Sequence, residues 1–245
     1  MQRALVTIFF TALFAVLAGA PAWALDEIYS PNVEPGELSV EYSGSRTFDS
    51  HSDKNNVQQH EAVMEYGVNN RWEVEGSIGF EKQPQEDVQV NHIEFENRFQ
   101  FFEQGQNWVD SGLLVAFDEA IHHADTNSFE VKLLLEKDIG RFTNRANIGF
   151  TQEVGPNATG GPDYVLLWNT RYRYDEKLQP GFEIQSDLGA DRALQHFGQQ
   201  DHYIGPALYG RLFGHLKYEA AYLFGVSDAS SKSAARALLE YEMHF

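Results

Sequence analysis

The sequence predicts an all-β fold, a 12-stranded antiparallel up-and-down transmembrane β-barrel with both termini on the periplasmic side. Three observations lead there. Twelve runs alternate apolar and polar residues with a period of two, and a 3.6-residue stripe is nearly absent. Connections between the runs alternate between short and long, the pattern of a barrel with tight turns at one end and loops at the other. The runs also reach about 10–12 residues, the length of a tilted bilayer span, whereas strands of water-soluble domains centre near about 5–6.

Composition narrows the function classes. The chain has 245 residues, 18 Lys+Arg, 36 Asp+Glu and no Cys. A formal charge of −18 leaves no basic footprint for nucleic acid. The absence of Cys excludes a disulfide framework and thiolate metal sites. An aromatic content of 13% is too high for an acidic disordered chain.

Residues 1–24 carry only Arg3, then a mostly apolar stretch from Ala4 to Ala20, then Ala22-Trp23-Ala24. That order describes a secretory signal peptide, with cleavage expected after Ala24. Residues 25–36 are then a short periplasmic N-terminal segment, able to occupy the lumen entrance but too short for a full plug. Residues 37–245 form the barrel. No later segment is a helix-length apolar run, which does not exclude a barrel, since its strands are only half apolar.

The expected strands are 37–48, 58–68, 71–81, 90–102, 108–118, 128–137, 142–153, 163–174, 181–188, 202–212, 215–226 and 234–245. In the third, Trp72, Val74, Ile78 and Phe80 face one way and Glu73, Glu75, Ser77 and Gly79 the other. In the tenth, Pro206 beside Gly205 cannot donate to the ladder, so a bulge or local gap is expected. In the eleventh, Leu216, Tyr218, Ala220, Tyr222, Phe224 and Val226 alternate with His215, Lys217, Glu219 and Ala221. Short connections fall at Asn69-Asn70, Glu103 to Asn107, Asp138 to Arg141, Asp175 to Pro180 and Phe213-Gly214.

Periodicity alone leaves a soluble barrel or sandwich open, because the same alternation can bury its apolar face inside. Strand length and aromatics near strand ends (Trp72 and Phe80, Phe99 and Phe101, Trp108 and Phe117, Phe142 and Phe150, Tyr172 and Tyr174) favour lipid and its interfacial girdles. With the apolar face outward, one lumen wall is predominantly acidic: Glu37, Glu41, Glu61, Glu65, Glu73, Glu75, Glu94, Glu96, Glu240 and Glu242, with Arg71 and Arg98 among them. The facing wall carries Lys132, Arg145, Arg171, Arg173, Arg211, Lys217 and Arg236, with Glu130, Glu136, Glu183 and Glu219 among them.

The last strand ends Ala237-Leu238-Leu239-Glu240-Tyr241-Glu242-Met243-His244-Phe245. It resembles the C-terminal assembly signal of small bacterial outer-membrane β-barrel proteins, with Tyr241, Met243 and Phe245 at the matching positions. That resemblance implies a Gram-negative source, localisation in the cell outer membrane, and the barrel-assembly machinery and periplasmic chaperones as partners, besides outer-membrane lipids and lipopolysaccharide. Asp26-Glu27-Ile28 followed by Val33-Glu34-Pro35-Gly36-Glu37-Leu38 is similar to the start of uncharacterised putative transporters of the phenol-degradation-pathway type.

Two functions compete on this reading. One is a passive channel for small polar solutes or cations, filtered by the acidic wall. The other is a non-conducting structural or interaction barrel with a salt-bridged lumen. A hydrolase at the barrel lip is a third. No G-x-S-x-G elbow supports it, and no enzyme activity and no cofactor are expected. Histidines near acids (His51 with Asp53 and His60, His122-His123 with Asp118 and Asp125, His196 with Asp201 and His202) are candidate metal ligands, His122 and His123 foremost. Their spacing matches no helical metal motif.

Overall fold

The computed structural model describes residues 25–121, 126–156, 158, 160–190 and 196–245. The signal-peptide reading of residues 1–24 and the candidate ligands His122 and His123 lie outside the described residues.

The chain forms β1 (Glu37–Phe48), β2 (Gln58–Asn69), β3 (Trp72–Lys82), β4 (Gln89–Gln100), β5 (Asp110–Ala120) and β6 (Asn127–Ile139). It continues through β7 (Phe142–Val154), β8 (Asp163–Tyr172), β9 (Gln179–Ala190), β10 (Asp201–Leu212), β11 (Leu216–Gly225) and β12 (Ser233–His244). Each strand pairs antiparallel with its neighbours in sequence, and β1 pairs with β12 from Glu37↔His244 to Phe48↔Ser233. The sheet is therefore a closed barrel without an edge, the one β arrangement that satisfies every backbone group inside a bilayer.

Sidedness follows from exposure. Met64 and Phe95 are 59% and 60% exposed, and Ile148, Trp168, Tyr222 and Phe224 also stand outward. Glu183 and Glu219 are fully buried, as are Asn147 and Leu114. Charge inside and large apolar side chains outside invert the layout of a water-soluble sheet and fit acyl chains on the outer wall. Tyr218 departs from its outward companions. It is 3% exposed, because its ring lies over Gly210, where a Cβ would come within 2.7 Å, and its hydroxyl donates to Lys177 O at 2.7 Å.

Turns are tight at 70–71, 140–141 and 213–215, as the short–long pattern predicts. The β4–β5 connection is longer than expected and spans 101–109. There Gln100 turns inward and donates to Phe102 O at 2.7 Å, and Gly105 (φ +71) donates from its amide to Asp110 Oδ1 at 2.6 Å, closing a loop of its own. In β10 the β11 ladder runs from Ile204↔Phe224 to Ala207↔Ala221 in one register and skips Gly205 and Pro206. The proline thus leaves a local gap and no register slip.

Residues 25–36, expected to reach only the lumen entrance, instead run inside the barrel, because lumen amides of Gln100, Asn147 and Gln185 bind their backbone. Gly36, at φ +78, reverses the chain as it enters β1, and its amide donates to Gly67 O at 2.8 Å. Gly67 must lack a side chain here, since a Cβ would lie 2.0 Å from Glu34 O. Beyond this entry, Ile28 is fully buried, and Leu25 packs into a cluster with Tyr203, Ala207, Tyr209 and Leu223.

Candidate functional site: the plugged lumen

The lumen is built by the inward residues of all twelve strands around the N-terminal segment. That segment has no sheet of its own, so its backbone groups need side-chain partners. Asn147 of β7 accepts from Tyr29 N at 2.8 Å and donates to Tyr29 O at 3.0 Å. Gln100 of β4 accepts from Val33 N at 2.9 Å, and Gln185 of β9 donates to Asp26 O at 3.1 Å. Arg145 and Arg98 donate to Ile28 O and Ser30 O at 3.4 and 3.3 Å. Ser30 Oγ donates to Glu136 at 2.9 Å. Arg98 and Lys132 lie over the Tyr29 ring at 5.4 and 5.8 Å from its centroid, within cation–π range.

Among the described residues, the segment lies between two cavities of the lumen. The one toward the loop end has a volume of about 420 Å³ and includes Glu41, Glu61, Glu94, Glu96, Asp118 and Glu130 against Lys132 and Arg236. The one toward the turn end is about 330 Å³ and includes Glu65, Glu73, Glu240 and Glu242 with Arg98, Arg145, Arg171, Arg211 and Lys217. Glu27 and Tyr29 line both. The loop-end cavity therefore carries a large acid excess, and the turn-end cavity is closer to balance.

The cations of the expected basic wall find acids beside them. Arg236 donates to Glu183 and Glu219 at 2.7 and 2.9 Å, and Tyr209 OH also donates to Glu183 at 2.7 Å. Arg171 stacks over the Tyr209 ring at 4.5 Å. Arg145 bonds Glu136 at 2.5 Å and Lys132 meets Glu130 at 2.8 Å. Lys217 and Arg211 cross to Glu240 and Glu242 of β12 at 2.5 and 2.6 Å. Arg173 sits past the end of β8 at the turn rim and pairs with Asp138. Arg98 joins Glu65 and Glu73. On the acidic wall, Glu75 is buried and faces Glu65 and Glu96 across both its ladders, three carboxylates in one row. Compensation is thus local on the basic wall and incomplete on the acidic one.

The described loop histidines do not gather into the groups their spacing suggested. His51 binds Asp49, at 3.0 Å from Nδ1. His60 meets Tyr42 OH and Gln58 instead, both at 2.8 Å. His202 is held by Ser186 and Gln200, both at 2.9 Å, and stacks on Phe197. Tyr241 and Phe245, two positions of the terminal assembly pattern, are exposed on the outer wall.

Sequence reasoning missed the plug-binding amides Gln100, Asn147 and Gln185. The available cue was an inward strand position holding an uncharged Asn or Gln in a lumen otherwise lined by ions. His92, set between Glu61 and Asp118 at 4.0 and 3.9 Å, was also missed.

No family model matches the chain, and no curated protein does. Solved structures do. An outer membrane channel from Pseudomonas putida F1 superposes with a TM-score of 0.68 at 11% identity, over 91% of this chain and 100% of that one. The KdgM porin, in a structure with disordered oligogalacturonate, gives 0.60 at 9% identity over 84% and 99%. The NanC porin gives 0.53 at 11% identity over 84% and 99%. The fold is that of outer-membrane porin-like barrels, and these neighbours are porins and channels by name.

Proposed function

We propose that the protein is a bacterial outer-membrane channel for small polar solutes, with a preference for cations, whose lumen residues 25–36 hold closed. The observation that carries this is the pair of charged cavities placed end to end and separated by that segment. A solid salt-bridged core would leave no such space. The loop end faces outside the cell and both termini lie in the periplasm, in keeping with the long-loop and tight-turn convention of these barrels. An acid excess at the outer mouth concentrates cations there and repels anions. Oligogalacturonate, the ligand of one structural neighbour, is a polycarboxylate, and this mouth is built for the opposite charge.

The alternative is a non-conducting structural barrel. It draws support from the buried Glu183–Arg236–Glu219 network, which fills one side of the lumen. Planar-bilayer recording under a salt gradient separates the two. A channel gives rare openings in the full mature chain, sustained cation-selective conductance once residues 25–35 are deleted, and a reversal potential of cationic sign. Silence from both proteins, or anion selectivity, overturns the channel reading.

A further inference from the structure

We infer that the lumen binds one calcium ion at its waist, on the carboxylates of Glu41, Glu65 and Glu240. The site goes beyond the channel reading and does not depend on it. Glu41 and Glu240 stand directly opposite each other in the β1–β12 ladder, the seam that closes the barrel, and Glu65 comes from the other neighbour of β1. One carboxylate oxygen from each of the three lies within 4.8 Å of the others. Like charges opposed across a ladder destabilise it unless a cation intervenes.

The protein's own cations do not complete this cluster. Lys217 is committed to Glu240 at 2.5 Å and reaches Glu27 at 3.7 Å. Arg98 is divided between Glu65 and Glu73. Glu41 has no salt-bridge partner among the described residues. Its side chain is 4% exposed, and its Oε2 has no hydrogen-bond partner. A buried carboxylate oxygen left in that state is costly, and the charges around Glu41 are the carboxylates of Glu27, Glu65 and Glu240 with the Lys217 ammonium, which is already paired with Glu240. With Glu27 and Glu73 counted, five carboxylates share Lys217 and Arg98 here, an excess of negative charge that a divalent ion offsets.

The donor chemistry selects the ion. All ligands are carboxylate oxygens, which suit hard cations and not zinc or copper. Calcium–oxygen distances of about 2.3–2.6 Å place three ligands spaced evenly around one ion about 4–4.5 Å apart, close to the 4.8 Å within which these oxygens fall, so calcium asks for little rearrangement. Magnesium, at about 2.0–2.1 Å in near-ideal octahedral geometry, demands a tighter set of oxygens and resists giving up its waters. Access is from the cavities, since Glu41 lines the loop-end one and Glu65 and Glu240 the turn-end one.

The test is calorimetric titration of the full mature barrel in detergent with calcium chloride after EDTA treatment, with magnesium chloride in parallel. Thermal unfolding with and without calcium provides a second readout. The expected result is one saturable calcium site per chain, preferred over magnesium, with a calcium-dependent rise in Tm. Glu41→Gln, close in shape, should weaken binding about ten-fold or more, because affinity follows the charge count of the ligands. Glu240→Gln serves the same purpose should Glu41→Gln not fold. Glu61→Gln, which lines the loop-end cavity outside the triad, should bind as the parent does. Absence of saturable binding, several weak sites abolished by salt, equal affinity for magnesium, or undiminished binding by Glu41→Gln or Glu240→Gln would each overturn the proposal. Conductance plays no part in this readout, so the site and the channel stand or fall separately.

Discussion

Asn147 holds Tyr29 by both ends of the residue's backbone: the amide oxygen accepts from Tyr29 N at 2.8 Å and the amide nitrogen donates to Tyr29 O at 3.0 Å. The side chain thereby imitates a strand neighbour for a segment that has none. Asn147 is fully buried, so no water stands ready to replace it. Removing it should cost about 1–3 kcal/mol for each backbone group left unsatisfied. Asn147→Leu is therefore expected to free the N-terminal segment while leaving the barrel intact. Limited proteolysis should cut residues 25–36 faster than in the parent, with the barrel still showing heat-modifiable migration. Equal cutting rates would mean that the segment is anchored elsewhere.

Gly67 gives an independent route to the same end. A Cβ there would sit 2.0 Å from Glu34 O, a backbone atom that can yield only by moving the chain entry. Gly67→Ala should displace the segment at the turn end, and Gly76→Ala, where a Cβ meets nothing within 4 Å, should not. The measurement is open probability in bilayers for the two variants. Similar traces from both would contradict a plug seated at Gly67.

The strands were legible in the sequence because their period is two and nearly every inward position is polar. Glu73, Glu75 and Ser77 against Val74, Ile78 and Phe80 leave one sidedness open to a barrel in lipid. The plug was not legible for the opposite reason. Leu25, Ile28 and Val33 follow no period, and their partners are separated from them by between about 60 and 200 residues of chain. Lumen charge was half legible: which residues point inward follows from alternation, but whether Arg236 faces an acidic wall or meets Glu183 and Glu219 depends on stagger between strands. The β4–β5 turn was read short because Phe101 continues the alternation set by Phe99, whereas β4 ends at Gln100, whose side chain turns inward to bind the plug.

Arg236 is the keystone of the buried charge network. It is 2% exposed at the side chain and serves Glu183 and Glu219 together. Arg236→Met would strand Glu183, whose remaining donors are Tyr209 and Gln185, while Glu219 keeps Arg171 at 3.9 Å. Breaking one side of a buried ion pair costs about 3–5 kcal/mol. The expected outcome is a fall in the urea midpoint, partly recovered by adding Glu183→Gln, which removes the unpaired charge. A single variant as stable as the parent would show that water already reaches this network.

Asp49 should set the acid tolerance of the loop end. Partial burial pushes its carboxyl up, but the amides of His51 and Lys232 and the His51 ring outweigh that and hold it at about 2, below its usual 3.8. Both amide bonds are 2.8 Å, and the second ties the 49–57 loop to the loop before β12. A folded-state value held below the unfolded one gives stability that is full above the unfolded pKa and is lost as pH falls through the folded one. The latch should thus be intact above about pH 4 and released on approaching pH 2. Pepsin works across this window. Cutting in 49–57, scaled to an unfolded substrate at each pH, should rise steeply toward pH 2 in the parent. In Asp49→Asn it should start high and change little, because the neutral side chain loses the charge that both amides and the His51 ring favour. Parallel pH profiles for the two proteins would place the acid-sensitive group elsewhere.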